Sequence, residues 1–182
     1  MSAKAAAKIP WSVPVRRDDV PAETGLHLDL VADEATRAAV AGIAGVRALS
    51  RLGASFDVAR QGGGLRVTGE VAATVEQTCV VTLEPMTSEL REPIELDFVP
   101  PRAEERGQED EEELDPAAAD EPESLVDGAA DLGAAATEFL LLAIDPYPRK
   151  PDAVFEAPKV EDAGGHPFDA LAALKKAPEK KR

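Results

Sequence analysis

The sequence predicts an α+β fold: an antiparallel β-meander covered on one face by helices, with a disordered acidic loop. Three observations predict it. Apolar and polar residues alternate over long stretches between Val46 and Phe98, the pattern of a sheet with one buried face and one wet face. Two segments, beginning at Asp33 and Asp131, repeat at helical spacing instead. Between the sheet and the second helix runs a stretch of carboxylates, alanines and prolines with no period at all.

The elements follow in order. Leu26, Leu28 and Leu30 alternate with polar neighbours and predict a short strand. Asp33 can cap the helix that follows and Gly45 can close it. Ala39, Val40 and Ile43 are expected on its inner face. The next strand places Val46, Ala48, Leu52, Ala54, Phe56 and Val58 at even positions. Gln61-Gly-Gly-Gly64 then supplies a hairpin turn, because glycine accepts positive φ without a steric penalty. Leu65, Val67, Val71, Ala73, Val75, Cys79, Val81 and Leu83 continue at odd positions. As one strand that run would extend about 60 Å, so a bend or bulge is expected near Gln77, where the parity breaks. A turn at Glu84-Pro85-Met86 leads to a return through Leu90, Ile94, Leu96 and Phe98. The sheet is thus expected from Arg47 to Val99, covered on one face by the helices at Asp33 and Asp131.

Formal net charge is −15, unevenly spread. Glu104 to Glu123 hold eleven acidic residues and one arginine, hence −10 of that total. Such a composition buries too little apolar surface to offset the entropy of ordering, and residues 100–125 are expected to be disordered. The helix at Asp131 presents Leu132, Ala135, Ala136, Phe139, Leu140 and Ala143 on one stripe, widened by Leu141 and Leu142. Asp145-Pro146 ends it. A flexible linker, 150–166, leads to a short amphipathic helix bearing Phe168, Leu171 and Leu174, then a basic tail. The whole, 1–182, reads as a single domain.

Hydrophobic residues make up 44% but aromatics only 4%, which allows a modest core. The single cysteine excludes an intrachain disulfide and suits a reducing compartment. The start lacks the apolar core of a secretory signal, and no run approaches the roughly 18 apolar residues of a membrane span. The expected location is cytoplasmic, with no membrane partner.

Little supports catalysis. Odd parity places Cys79 on the apolar face with Val75 and Val81, where a thiol acts as a small hydrophobe and nothing nearby in sequence lowers its pKa. The only histidines, His27 and His166, lie far from it in sequence. Structural zinc needs about four clustered cysteines or histidines. Gln61-Gly-Gly-Gly64 lacks the lysine and helix of a phosphate loop. The carboxylates of Glu109 to Glu113 lack the fixed geometry of acid–base catalysis. No enzyme, cofactor, metal or small-molecule substrate is expected.

Cys79-Val-Val-Thr-Leu-Glu-Pro85 resembles the cysteine-x-arginine-cysteine-leucine-x-proline signature of the YceD family, the large ribosomal RNA subunit accumulation proteins. Glu138-Phe-Leu-Leu-Leu-Ala-Ile-Asp-Pro146 is similar to that family's second block, a glutamate-containing helix ending near a proline. His166-Pro-Phe-Asp-Ala-Leu-Ala-Ala-Leu-Lys175 resembles the close of proteobacterial members. The order of the three motifs and the intervening acidic loop match too. On this resemblance the family-motif residues are Cys79, Leu83, Pro85, Glu138, Leu140, Pro146, Phe168 and Leu171. Thr82 stands where the family often has a second cysteine, and Val81 where it often has arginine. Tyr147-Pro-Arg-Lys150 follows the late proline where another cysteine is expected. A metal site built on those cysteines could not form in this chain.

The resemblance implies a non-enzymatic factor for 23S ribosomal RNA accumulation or processing and large-subunit biogenesis. Its implied partners are a ribosomal protein or an rRNA-processing factor, with the 23S rRNA precursor itself a further candidate. The acidic loop could steer a basic partner, or be an inert solvated segment. Arg149-Lys150 and the lysines from Lys175 onward could form a small basic patch, or simply a solubilising tail. The Phe168 helix could dock on a partner, although a small domain's need for every apolar face favours folding back on its own sheet. The alternative function is a general interaction adaptor that uses the acidic loop and this helix, without a ribosomal role.

Overall fold

The computed structural model describes residues 9–101 and 122–155. Its centre is a five-stranded sheet of order β2-β3-β4-β5-β6, with β2 Leu26–Val31, β3 Ala48–Gln61, β4 Gly64–Thr78, β5 Pro85–Val99 and β6 Glu123–Ser124. Neighbours are antiparallel except β6, which runs parallel to the end of β5. A second, two-stranded sheet pairs β1 (Pro14–Arg16) with β7 (Ala129–Asp131). Two helices, α1 (Glu34–Ala44) and α2 (Leu132–Ala143), complete the α+β fold that the sequence predicts.

Alternation decides which face of the sheet is dry. Leu52, Ala54, Phe56 and Val58 of β3 are buried, with Leu65, Val67, Val71, Ala73 and Val75 of β4 and Ile94 and Phe98 of β5. They meet Val40 of α1 and Leu132, Ala136 and Leu140 of α2. The other face is laced by cross-strand pairs: Arg66 to Asp97 and Glu95, Arg91 to Glu70, and Thr74 to Glu89. Exposed pairs of this kind contribute at most about 1 kcal/mol each, so the buried face stabilises the sheet. Gly69 lies where β4 crosses Phe56, and a Cβ there would stand 2.1 Å from the Ser55 carbonyl oxygen.

Both helices start as expected. The Asp33 carboxylate accepts from the Thr36 N–H, which holds its pKa below the usual range, and Gly45 closes α1 at φ +66°. The inner face of α1 differs from the expected one. Val40 and Ala41 are buried, whereas Ala39 is exposed and Ile43 is 53% exposed. The stripe runs through Arg37, Val40, Ala41 and Ala44. Arg37 belongs to it because its guanidinium donates to the Ala32 carbonyl, a role that polarity alone conceals. On α2, Leu142 is 83% exposed, so the apolar stripe is narrower than expected.

Four further corrections concern the strands. The expected bend or bulge does not interrupt β4 at Gln77, where the strand pairs with β5 continuously to Thr78↔Pro85. The irregularity lies across the ladder, between Leu49 and Arg51 of β3. The extra residue, Ser50, lets Leu49 and Leu52 both point inward despite their odd spacing. The connection after β4 spans Cys79 to Glu84, so Pro85 and Met86 already belong to β5, and proline is tolerated at a strand's first residue. Val81 is only partly buried and Leu83 is 76% exposed. The expected loop 100–125 ends early. Leu125 is buried and donates its N–H to the Val99 carbonyl, which registers β6 on β5. Residues 102–121 lie outside the described residues, as does most of the expected linker.

The N-terminal segment wraps the end of the sheet. Trp11 is buried. Asp131 caps α2 through the Ala134 N–H and also accepts from the Ser12 hydroxyl and the Val13 N–H. Arg60 reaches from β3 to the Val20 and Asp18 carbonyls. Gly133 fits directly under this segment, since a Cβ would approach the Trp11 carbonyl to 2.7 Å. Among the described residues no helix is long and apolar enough to cross a membrane.

Candidate functional site

At the opposite end of the sheet, β4 and β5 are joined by Cys79 to Glu84. The Cys79 N–H donates to the Glu84 carbonyl (2.9 Å), and the Leu83 N–H to the Cys79 carbonyl (2.9 Å). Those two bonds force the chain into a left-handed step. Leu83 takes it at φ +60°, with its side chain in solvent. An L-residue there is strained by roughly 1–2 kcal/mol. The Thr82 N–H turns inward to the Cys79 sulfur at 3.5 Å.

The chain leaving α2 straps across this turn. The Gln77 side chain donates to the Asp145 carbonyl (2.9 Å), and the Val80 N–H to the Pro148 carbonyl (2.9 Å). The Lys150 N–H donates to Cys79 Sγ at 3.4 Å, while its ammonium meets the Glu84 carboxylate at 2.7 Å. The Asp145 side chain accepts from the Tyr147 N–H, folding the strap locally. Pro148 is buried beneath.

The electrostatics follow from these donors. The Cys79 thiol is brought down to about 6 by the Thr82 hydroxyl first, then by the N–H groups of Thr82 and Lys150, against the opposing effect of burial. The expectation that nothing would lower it is therefore incorrect. The relevant dipoles come from a turn and from a segment some seventy residues away. The expected place of Cys79 within a strand is corrected too: it sits just past β4, yet is 0% exposed. The Lys150 ammonium, through its hydrogen bond, holds the Glu84 carboxyl below the usual carboxylate range.

Chemically, such a sulfur is an acceptor that knots two segments together. Attack on a substrate requires access that a fully buried atom lacks. Among the described residues no group of three or more histidines, cysteines, aspartates or glutamates is placed to hold a metal ion. What the knot offers outward is apolar: Leu83 76%, Tyr147 71% and Val80 42% exposed, beside the exposed Arg149.

The structure thus joins Cys79, Leu83 and Pro85 to Pro146. Leu140 is fully buried in the main core. Glu138 points outward from α2 elsewhere, its pKa raised by burial and by the Glu123 carboxylate. Phe168, Leu171 and His166 lie outside the described residues. His27 stands on β2, bonded to Asp57 (2.8 Å) and near Asp29 (3.6 Å), which raise its pKa. Register places it level with Thr68, roughly 35 Å along β4 from Cys79. Sequence reasoning missed Gln77, Glu84, Pro148 and Lys150 as parts of the site. Only the two prolines of Pro146-Tyr-Pro148 hinted at a fixed strap rather than a linker.

A family model described as large ribosomal RNA subunit accumulation protein YceD matches residues 67–175. No curated protein and no solved structure matches the chain. The match spans more than half of the sequence and takes in the Cys79 turn, α2 and the strap, and on that ground the chain belongs to the YceD family.

Proposed function

We propose that this protein is a non-enzymatic factor that supports accumulation of the 23S ribosomal RNA during large-subunit biogenesis. It does so by engaging a ribosomal protein or rRNA-processing factor through the knot of the Cys79 turn and the Asp145–Lys150 strap. The family supplies the ribosomal setting. One observation carries the choice of surface. Two segments far apart in sequence are tied together by main-chain bonds to a buried sulfur, and the tie holds Leu83 and Tyr147 out in water. A strained, exposed apolar residue on a rigid mount suits recognition.

Catalysis has no comparable support. The sulfur is sealed, and His27 is a strand-length away. Electrostatics argue for a protein partner ahead of extensive RNA contact, since phosphate binding needs clustered basic residues and the chain carries −15.

The test is complementation of a strain lacking the gene, with Leu83→Glu and Tyr147→Ala variants compared with the natural sequence. Mature 23S rRNA is scored together with co-sedimentation on large-subunit precursors. Loss of an exposed anchor of this kind weakens binding by on the order of 2 kcal/mol, about thirtyfold, at an unchanged melting temperature. Full co-sedimentation and normal 23S rRNA in both variants would overturn the reading.

A further inference from the structure

A groove of about 640 Å³ opens at the other end of the molecule, between α2, the end of β5 and the β6–β7 segment. Leu96, Phe98 and Phe139 give it an apolar floor, and Leu96 and Phe139 keep part of their surface in water. Glu123, Asp127 and Glu138 stand around it, against a single basic lining residue, Arg16. Glu138 is partly desolvated beside the Glu123 carboxylate, and both effects raise its pKa. Such a site suits an amphipathic segment with an apolar face and a cationic end.

The chain contains one. Phe168, Leu171 and Leu174 fall at every third residue, and Lys175-Lys176 follow at once. Lysines at the C-terminal end of a helix also complement its dipole. The family match runs to residue 175, so this segment and both walls of the groove belong to one family unit. Reach permits the contact. The strap is fixed beside Glu84, and Leu96 lies about 37 Å from Pro85 along β5. The chain from Phe155 to Phe168 can extend about 45 Å.

We propose that residues 166–176 of this same chain seat in this groove as a short amphipathic helix. Phe168, Leu171 and Leu174 lie on the Leu96–Phe98–Phe139 floor, with Lys175 and Lys176 against Glu123, Asp127 and Glu138. The inference goes beyond the proposed function and uses the opposite end of the molecule, so each can fail without the other.

Hydrogen exchange on the full-length protein tests it. Peptides covering 94–99, 123–139 and 166–176 are followed in the natural sequence, in Phe168→Ala/Leu171→Ala and in Lys175→Glu/Lys176→Glu. Residues 166–176 are expected to be protected, and the apolar double variant to speed exchange roughly tenfold in both that segment and the groove peptides. The charge-reversal pair is expected to loosen the segment, and adding Glu123→Lys/Glu138→Lys to restore it. Two results overturn the proposal. One is coil-like exchange of 166–176 in the natural protein. The other is groove peptides indifferent to the apolar variant. Protection that vanishes on dilution, with a doubled mass in sedimentation, overturns it as well and assigns the groove to a second copy.

Discussion

The two long-strand connections of this sheet solve the same geometric problem in different ways. Between β3 and β4 the chain reverses at Gly62-Gly63, with Gly62 at φ +55° and nothing within 4 Å of where its Cβ would be. The left-handed step is taken by the residue that takes it freely. Between β4 and β5 a leucine takes it, the turn encloses a depressed-pKa sulfur, and a strap from beyond α2 holds the result. The first turn needs no strained residue, and the longer-range hydrogen bond it receives, from the Arg17 guanidinium to the Gly62 carbonyl (3.2 Å), lies at its exposed surface. The second is unfavourable locally, and its sulfur draws one N–H from the turn, that of Thr82, and one from the distant strap, that of Lys150. Strain held in place with an apolar side chain left in water fits the proposed recognition surface better than a simple reversal.

Substitution breaks this contrast most severely at the glycine hairpin. A Cβ on Gly64 would stand 1.8 Å from the Phe98 carbonyl oxygen, a main-chain atom that cannot rotate away. Gly64→Ala is therefore expected to lower unfolding stability by about 3 kcal/mol, read from the urea midpoint, because β5 must move off β4. The knot at the other end is expected to be unaffected, with its buried thiol alkylated slowly in the folded fraction of both proteins.

The knot itself responds to pH. The Cys79 thiol ionises near 6 when folded, against an ordinary 9.0. A depressed acid stabilises the fold fully above the unfolded value, and that contribution disappears as pH falls through about 6. His27 acts in the opposite sense. Its raised pKa contributes stability below 6.5 that is lost as pH rises through the folded value. Subtracting Cys79→Ser from the natural protein cancels the histidine, since serine keeps an acceptor and does not titrate here. The melting-temperature difference is expected to widen by several degrees in favour of cysteine between pH 6 and pH 9. A flat difference would mean that the sulfur stays protonated in the fold.

Periodicity made most of the sheet legible because a period of two reports burial directly: Leu52 to Val58 and Leu65 to Val75 are inward as the alternation requires. It failed where one residue changes the phase. Ser50 inserts into β3 without any glycine or proline to mark it, and the break in parity at Gln77 records that residue's turn toward Asp145 instead. The pairing of β1 with β7 was invisible because three-residue strands have no period and their partners lie over a hundred residues apart. The burial of Cys79 was legible from parity, but its chemistry was not. The donors that depress its pKa are the Thr82 hydroxyl and the main-chain N–H groups of Thr82 and Lys150, and only the folded turn and strap bring them to the sulfur. The family blocks located the site's two halves, and only the fold shows that they touch.

The smallest effect is the most informative. Leu83→Gly removes a strained φ of +60° and so recovers roughly 1–2 kcal/mol, offset by about 0.5–1 kcal/mol of added freedom in the unfolded chain. Net stability is expected to rise by less than about 1 kcal/mol. Binding should move the other way, because a 76% exposed leucine contributes nothing to the core and everything it offers is outward. A variant that is more stable yet captures less large-subunit precursor would show that the strain serves recognition. A clear loss of stability would instead place Leu83 among the packed residues, and the two connections would then differ only in how they fold.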